Sequence, residues 1–139
     1  MVIHEFDEAM NRRGVLIVDD NAQLRRLLHA LLQSDGRFQV VGEAADGVEA
    51  LELVEEFDPE LVLLDLSMPV MDGLEVLAHL ARREHPPVTV VLSGYADAAL
   101  REQVLAAGAV MCLEKGLDFG MLTELLAGSE SRHAHHGVD

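Results

Sequence analysis

The sequence predicts an α/β fold in which a five-stranded parallel sheet is doubly wound, with helices on both of its faces. Five short apolar runs typical of strands alternate strictly with five segments of helical periodicity. The first, third and fourth runs are apolar without interruption, which is typical of strands buried on both faces of a parallel sheet. At 139 residues, half of them hydrophobic, the chain has the length of one domain with a substantial core.

The individual strands and helices follow from the spacing of apolar residues. Strands are predicted at residues 15–18, 38–41, 61–64, 88–92 and 110–113. In the first helical segment, Leu24, Leu28 and Leu31 recur at intervals of three or four residues, so they share one face of a helix. The later segments show the same spacing at residues 48–54, 74–81, 100–107 and 119–126.

Turn and capping residues predict where the helices begin and end. Asp46-Gly47 is a turn before the second helix, and Asp118 is suited to cap the start of the fifth. Gly108 is suited to cap the end of the fourth helix, since glycine adopts the left-handed conformation without strain. His85-Pro86-Pro87 is predicted to end the third helix, because proline lacks a backbone donor.

The charge balance restricts the classes of partner. Ten bases against 25 acids give a formal charge of −15, which repels phosphate backbones and anionic lipid. We therefore expect no direct nucleic-acid binding and no membrane association, and no apolar run has the length of a membrane-spanning helix. The single cysteine, Cys112, excludes a disulfide framework. Together with an acidic N-terminus unlike a secretory signal, it predicts a cytoplasmic protein.

Polar and ionisable residues stand at four of the predicted strand ends. Asp19 and Asp20 follow the first strand, Asp65 the third, Ser93 the fourth, and Lys115 the fifth. Because the carboxyl ends of parallel strands meet at one edge of a sheet, these side chains are expected to converge. Three adjacent carboxylates repel one another unless a cation lies among them, and their hard oxygen ligands suit Mg²⁺. With a hydroxyl and the chain's only lysine, the set predicts a phosphoryl-transfer site.

Each of these residues also has a simpler interpretation. Asp19-Asp20 could cap the first helix, Ser93-Gly94 is an ordinary turn pair, and Lys115-Gly116 alone is typical of a loop. Four adjacent strand ends that carry complementary groups favour the functional interpretation over these separate ones.

The motifs VLIVDDN (15–21), LVLLDLSMPVMDGLEVL (61–77), VVLSGYAD (90–97) and AAGAVMCLEKG (106–116) strongly resemble the receiver domain of two-component response regulators. The resemblance extends over about residues 14–127 and implies a flavodoxin-like sheet of order 2-1-3-4-5. It implies a regulator that is not an enzyme: it accepts a phosphoryl group from a sensor histidine kinase or histidine phosphotransfer protein. Its signal then passes by phosphorylation-dependent contacts to a downstream protein or a fused output domain.

The resemblance also implies a set of metal ligands. Asp65 is expected to be the phosphoacceptor and, with Asp20, to ligate Mg²⁺ through its carboxylate. The main-chain carbonyl of Ser67 is expected to complete the protein ligands, and Asp19 to act through a bound water. The aspartate in the apolar run 61–65 is thus expected to serve as a nucleophile whose charge the metal and Lys115 compensate.

The remaining roles and two departures concern the output of the signal. Lys115 is expected to contact a phosphoryl oxygen, and Ser93 to move toward the phosphoryl group. The family usually has an aromatic residue three positions before the lysine, where this chain has Cys112, so an aromatic switch at that position is excluded. Gly116 stands where many members have proline. Neither departure affects the phosphorylation chemistry itself.

Two other functions compete with a working receiver. One is a degenerate receiver that binds proteins without being phosphorylated, although none of the key groups is lost here. The other is a phosphatase of the haloacid-dehalogenase type, which needs a second aspartate where this chain has Ser67.

The chain outside the predicted domain is short. Residues 1–13 are expected to form an N-terminal extension, 14–127 the receiver domain, and 128–139 a C-terminal tail. The tail contains His133, His135 and His136, but with no cysteine beside them it predicts a solvated segment rather than a zinc site. A stand-alone regulator and a receiver from a larger protein both stay open, as does a homodimer.

Overall fold

The computed structural model describes residues 12–68 and 71–130, which form five strands and five helices in strict alternation. The strands are β1 Arg13–Val18, β2 Phe38–Ala44, β3 Leu61–Asp65, β4 Val88–Ser93 and β5 Met111–Glu114. The helices are α1 Ala22–Ser34, α2 Gly47–Phe57, α3 Gly73–Ala81, α4 Ala98–Ala106 and α5 Phe119–Ala127. All strand pairs are parallel and the order is β2-β1-β3-β4-β5, so the predicted fold and strand order are confirmed.

The sheet separates the core into two layers. Val15 and Ile17 of β1 pack on one face, while Leu16 and Val18 pack on the other, as the alternation of side chains along a strand requires. Helices α1 and α5 cover the first face, and α2, α3 and α4 cover the second. Strands β3 and β4 are buried along their whole length, which confirms the interpretation of their uninterrupted apolar runs.

Side-chain caps fix the start of every described helix. In each case a side-chain oxygen accepts a hydrogen bond from the backbone N–H three residues later. The capping residues are Asn21, Asp46, Asp72, Asp97 and Asp118. The caps predicted at Asp46 and Asp118 are confirmed. Since these caps lie where the chain leaves the carboxyl ends of the strands, they also fix the loops that carry the candidate site.

The end of α4 matches the predicted glycine cap. Gly108 has φ of 122°, in the left-handed region. Its N–H donates to the carbonyl of Leu105 (3.2 Å), and the N–H of Ala109 donates to that of Val104 (3.0 Å). This pair of bonds is a Schellman motif, which satisfies carbonyls that the helix end would otherwise leave free.

The prediction that His85-Pro86-Pro87 ends α3 was wrong, although the helical spacing predicted up to Ala81 agrees with the structure. The helix stops at Ala81, several residues before His85-Pro86-Pro87. The N–H groups of Arg82 and Arg83 donate to the carbonyls of His79 and Leu80, each at 3.2 Å. These bonds span three residues instead of four and tighten the last turn, so the helix has ended before the prolines can act.

Residues near both predicted domain boundaries take part in the fold. Arg13 belongs to β1, and its guanidinium donates to the carbonyl of Leu126 at 2.8 Å. Ser129 is buried beside it, with its hydroxyl 2.7 Å from the same carbonyl. Within the predicted extensions, residues 1–11 and 131–139, which include the tail histidines, lie outside the described residues. Within the described ranges, no helix is both long and apolar enough to cross a membrane.

Candidate functional site

Three aspartates meet at the carboxyl edge of the sheet. Asp19 and Asp20 follow β1, and Asp65 is the last residue of the neighbouring strand β3. One carboxylate oxygen from each lies within 4.8 Å of those of the other two. Asp19 and Asp65 are 2% and 3% exposed, whereas Asp20 is open to solvent. The structure therefore brings together the three acids that the sequence placed at the strand ends.

Lys115 lies between the two buried acids. Its Nζ is 3.2 Å from Asp19 Oδ2 and 3.2 Å from Asp65 Oδ1. Its backbone N–H donates to the carbonyl of Ser93 at 2.9 Å, which fixes the start of the β5–α5 loop. Burial disfavours the ammonium, but the charges and hydrogen bonds of the two carboxylates outweigh this, so the pKa of Lys115 is raised.

The surroundings of Asp65 disfavour the ionised form of its carboxyl group. Burial and, next, the charge of Asp19 raise its pKa, while Lys115 and the backbone N–H of Ser67 act in the opposite direction. Its Oδ1 accepts the Ser67 N–H at 3.2 Å. Its Oδ2 is buried and has no hydrogen-bond partner among the described residues.

The donor set fits Mg²⁺. Three carboxylates against one ammonium leave two negative charges without compensation, and one buried carboxylate oxygen without a partner. Mg²⁺ binds proteins through a few carboxylate oxygens. It keeps several waters on the solvent side of the site, where a phosphate can also bind. Asp20 lies on the solvent-exposed side of the three-aspartate cluster. Ser67 is exposed beside Asp65, and the role of its carbonyl stays a prediction.

The loop after β1 is held by backbone and side-chain contacts. Asp19 donates its N–H to the carbonyl of Ala44 in β2 (3.0 Å), and its Oδ1 accepts the N–H of Asn21 (2.9 Å). Asn21, not Asp19 or Asp20, caps α1, with its side chain accepting from Leu24 N–H at 3.1 Å. The interpretation of the aspartate pair as a helix cap was therefore wrong, because the cap lies one residue further along.

Arg25 is a part of this site that sequence reasoning missed. Its Nη1 donates to the carbonyl of Asp19 at 2.6 Å, and its Nε lies 3.2 Å from Glu43 Oε1 in β2. Arg25 precedes the buried Leu28 and Leu32 by three and seven residues, so it lies on the inner stripe of α1. That spacing was a usable signal, since its neighbour Arg26 lies off the stripe and is exposed.

Ser93 lies at the same edge but does not contact the carboxylates. Its hydroxyl donates to the carbonyl of Tyr95 at 2.8 Å, and it accepts the N–H of Tyr95 at 3.3 Å. Ser93, Tyr95 and Ser67 line a cavity of about 470 Å³ between the loops that follow β3 and β4. Tyr95 itself is 73% exposed. The hydroxyl is thus adjacent to the site and turned toward its own loop.

Gly73, the first residue of α3, packs against the backbone that carries Asp65. A Cβ at this position would lie 2.5 Å from Leu66 Cα and 2.6 Å from the Asp65 carbonyl oxygen. Both contacts are with backbone, which cannot rotate away. The residue also donates its N–H to the Leu66 carbonyl at 2.9 Å. Glycine is required at position 73 because the start of α3 lies too close to the Asp65–Leu66 backbone for any side chain.

We expect Gly73→Ala to lower the free energy of unfolding by about 2 kcal/mol, because the added methyl forces β3 and α3 apart. Urea denaturation followed by circular dichroism measures this. Gly36→Ala is the matched control: a Cβ there has no neighbour within 4 Å, and a change of less than about 0.5 kcal/mol is expected. Equal effects of the two substitutions would contradict the close-approach argument.

Comparison with known proteins identifies the family. A family model described as the response regulator receiver domain matches residues 15–127. The chain belongs to that family. The transcriptional regulatory protein PdtaR of Mycobacterium tuberculosis is 37% identical over 126 residues, which are 91% of this chain and 60% of PdtaR. Protein-glutamate methylesterase/protein-glutamine glutaminase 3 of Hahella chejuensis is 41% identical over 103 residues, 73% of this chain and 29% of that enzyme.

Solved receiver structures agree with the fold. The signal receiver domain of NarL from Mycobacterium tuberculosis aligns with a TM-score of 0.79 and 32% identity, covering 86% of this chain and 99% of that domain. The CheX-CheY-BeF3-Mg complex from Borrelia burgdorferi aligns with a TM-score of 0.77 and 28% identity, covering 82% and 86%. The receiver family interacts with histidine kinases or phosphotransfer proteins and binds Mg²⁺ at an acidic pocket. This chain spans less than a third of the methylesterases' length.

Proposed function

We propose that this receiver accepts a phosphoryl group on Asp65 from a sensor histidine kinase or a histidine phosphotransfer protein. An oxygen of the Asp65 carboxylate attacks phosphorus, the P–N bond to the donor imidazole breaks, and the electron pair of that bond stays on the imidazole nitrogen. The observation that carries the proposal is the juxtaposition of a buried aspartate with an orphaned oxygen, two further acids, and the chain's only lysine.

The surrounding residues supply charge compensation. We assign Asp20, Asp65 and the main-chain carbonyl of Ser67 as protein ligands of Mg²⁺, with Asp19 acting through a water. Bound there, Mg²⁺ would neutralise charge on the carboxylates and on the transferring phosphoryl group. Lys115 reaches Asp65 Oδ1 at 3.2 Å, close enough to meet a phosphoryl oxygen once the carboxylate is phosphorylated.

The output is proposed to be a protein contact, with the chain acting as a phosphoacceptor in the cytoplasm and not as an enzyme. The longer relatives include regulators and methylesterases, so a downstream protein and an output domain on the same polypeptide both fit. The strongly acidic composition argues against direct nucleic-acid contact by this domain.

Intact mass spectrometry after incubation with acetyl phosphate and MgCl₂ tests the proposal. We expect one added phosphoryl group on the wild type, none on Asp65→Asn, and none when EDTA replaces magnesium, because the nucleophile or its charge compensation is then missing. Asp58→Asn is the matched control, since Asp58 is exposed at the end of α2 and asparagine tolerates its φ of 44°. An adduct on Asp65→Asn, or none on the wild type while a known receiver is modified, would overturn the proposal.

A further inference from the structure

Arg101 of α4 connects two segments that are separate in sequence. Its Nε donates to the carbonyl of Ala96, in the loop between β4 and α4, at 3.2 Å. Its Nη1 donates to the carbonyl of Cys112 in the middle of β5. The side chain is partly buried, and both acceptors belong to buried residues. A planar guanidinium presents donors in a fixed arrangement, so one arginine can bind two carbonyls from different elements at once.

Ser93, the last residue of β4, also binds the loop between β4 and α4. The Ser93 hydroxyl has a single proton, which it donates to the carbonyl of Tyr95. If that proton is donated instead to a phosphoryl oxygen on Asp65, the bond to Tyr95 must break. Tyr95 directly precedes Ala96, so a movement of the Tyr95 carbonyl acts on the neighbouring residue, whose own carbonyl accepts from Arg101 Nε.

The loop has room to make such a movement. A Cβ built on Gly94 meets nothing within 4 Å, and the cavity of about 470 Å³ lies alongside Gly94 and Tyr95. The Tyr95 side chain is mostly in solvent and does not anchor the loop to the core. The Ser93 hydroxyl and the Arg101 guanidinium each bind one carbonyl of this loop, those of Tyr95 and Ala96 respectively.

We propose that Arg101 couples the phosphorylation site to β5, by holding the β4–α4 loop to the Cys112 carbonyl until Ser93 leaves the Tyr95 carbonyl. The inference rests on the proposed function of Asp65 and adds a positioning residue that carries its signal. It also gives a route for the signal in a chain whose Cys112 is a small, buried residue in the same core cluster as Val104 and Ala109. No aromatic side chain is needed, because the movement passes through backbone carbonyls and one guanidinium.

Hydrogen–deuterium exchange with mass spectrometry, before and after acetyl phosphate and MgCl₂, tests the coupling, with intact mass recording the phosphorylation of each sample. In the wild type, phosphorylation is expected to raise exchange about five-fold in both the 94–97 loop and β5, as expected for the loss of one hydrogen bond. Arg101→Met keeps the length of the side chain and removes its donors. It is expected to show the raised exchange in both segments before phosphorylation and no further rise afterwards.

Three further variants test whether the changes in exchange are specific to the Arg101 contacts. Arg82→Met makes the same change at an exposed position at the end of α3 and is expected to behave as the wild type. Arg101→Lys retains a charge but only a point donor, and an intermediate exchange is expected, which replaces the Arg101→Met result if that variant does not fold. Ser93→Ala is expected to raise exchange in the same two segments without phosphorylation.

The coupling and the proposed function fail in different ways. If the wild type takes up a phosphoryl group but β5 exchange does not change, or if phosphorylated Arg101→Met responds as the wild type does, the coupling is wrong and the phosphoacceptor stands. If intact mass shows no uptake by the wild type, the proposed function itself is overturned, and with it the signal that Arg101 was inferred to carry.

Discussion

Asp65→Asn is expected to be more stable than the wild type in EDTA, by about 1–2 kcal/mol or roughly 3–6 °C in melting temperature. The Asp65 carboxylate is 3% exposed, lies among the carboxylates of Asp19 and Asp20, and leaves Oδ2 buried without a partner. Asparagine has a similar shape and no charge, so it removes the desolvation and the repulsion together. Lys115 keeps its contact with Asp19 Oδ2 at 3.2 Å, so the ammonium is not left unpaired.

The pH dependence of that stability difference has a definite sign. Burial and then the charge of Asp19 raise the pKa of Asp65 in the folded state. The ionised carboxylate therefore destabilises the fold above that pKa, and the destabilisation disappears as the pH falls and the group is protonated in both states. The difference between Asp65→Asn and the wild type is expected to be full at neutral pH and to close in acid. Thermal melts across the pH range in EDTA measure it.

Magnesium is expected to reverse the order of stabilities. A ligand that binds only the folded state stabilises it, and the wild type has the full set of carboxylates that suits the ion. Asp20→Asn is the matched control, because Asp20 is exposed: in EDTA its stability is expected to differ by less than about 0.5 kcal/mol, yet it too should lose magnesium stabilisation. An Asp65→Asn protein less stable than the wild type in EDTA would show that the pairing with Lys115 outweighs burial.

The sequence was sufficient for the fold because its signals are local and repeated. The strict alternation of apolar runs with helical spacing predicted the five strands and five helices, and the topology of parallel strands then brought Asp19, Asp20 and Asp65 to one edge. The lone Lys115 was assigned to the same edge for the same reason. The structure adds the distances, with Nζ 3.2 Å from each of two buried carboxylates.

The sequence could not predict which of several nearby groups a side chain would choose as its hydrogen-bond partner. Asn21 caps α1 although two aspartates precede it, because the cap is the residue directly before the first helical residue, Ala22. The Ser93 hydroxyl bonds to the Tyr95 carbonyl and not to the carboxylates, which depends on a side-chain rotation. Arg25 and Arg101 donate to the backbone carbonyls of Asp19 and Cys112, which lie outside their own helices, and carbonyls are present at every residue. No residue pattern records such acceptors.

Lys115→Gln is expected to change magnesium affinity and phosphoryl transfer in opposite directions: the affinity rises and the transfer rate falls. Without the ammonium, no fixed positive charge competes with a cation for Asp19 and Asp65, so Mg²⁺ is expected to bind about five-fold more tightly by isothermal titration calorimetry. Transfer from acetyl phosphate is nevertheless expected to slow about 100-fold, because a charge aimed at the phosphoryl oxygen has been removed. Mass spectrometry over time measures that rate.

The same substitution is expected to lower metal-free stability by about 2–3 kcal/mol, since two buried carboxylates are left without their cation. Arg82→Gln makes the same change of charge at an exposed position remote from these acids, and it controls for the effect of net charge on magnesium affinity. If Lys115→Gln binds Mg²⁺ more weakly than the wild type, the ammonium does not compete with the metal but orders the carboxylates for it. In that case the 3.2 Å contacts to Asp19 and Asp65 organise the metal site, and the loss of transfer would follow from loss of the ion.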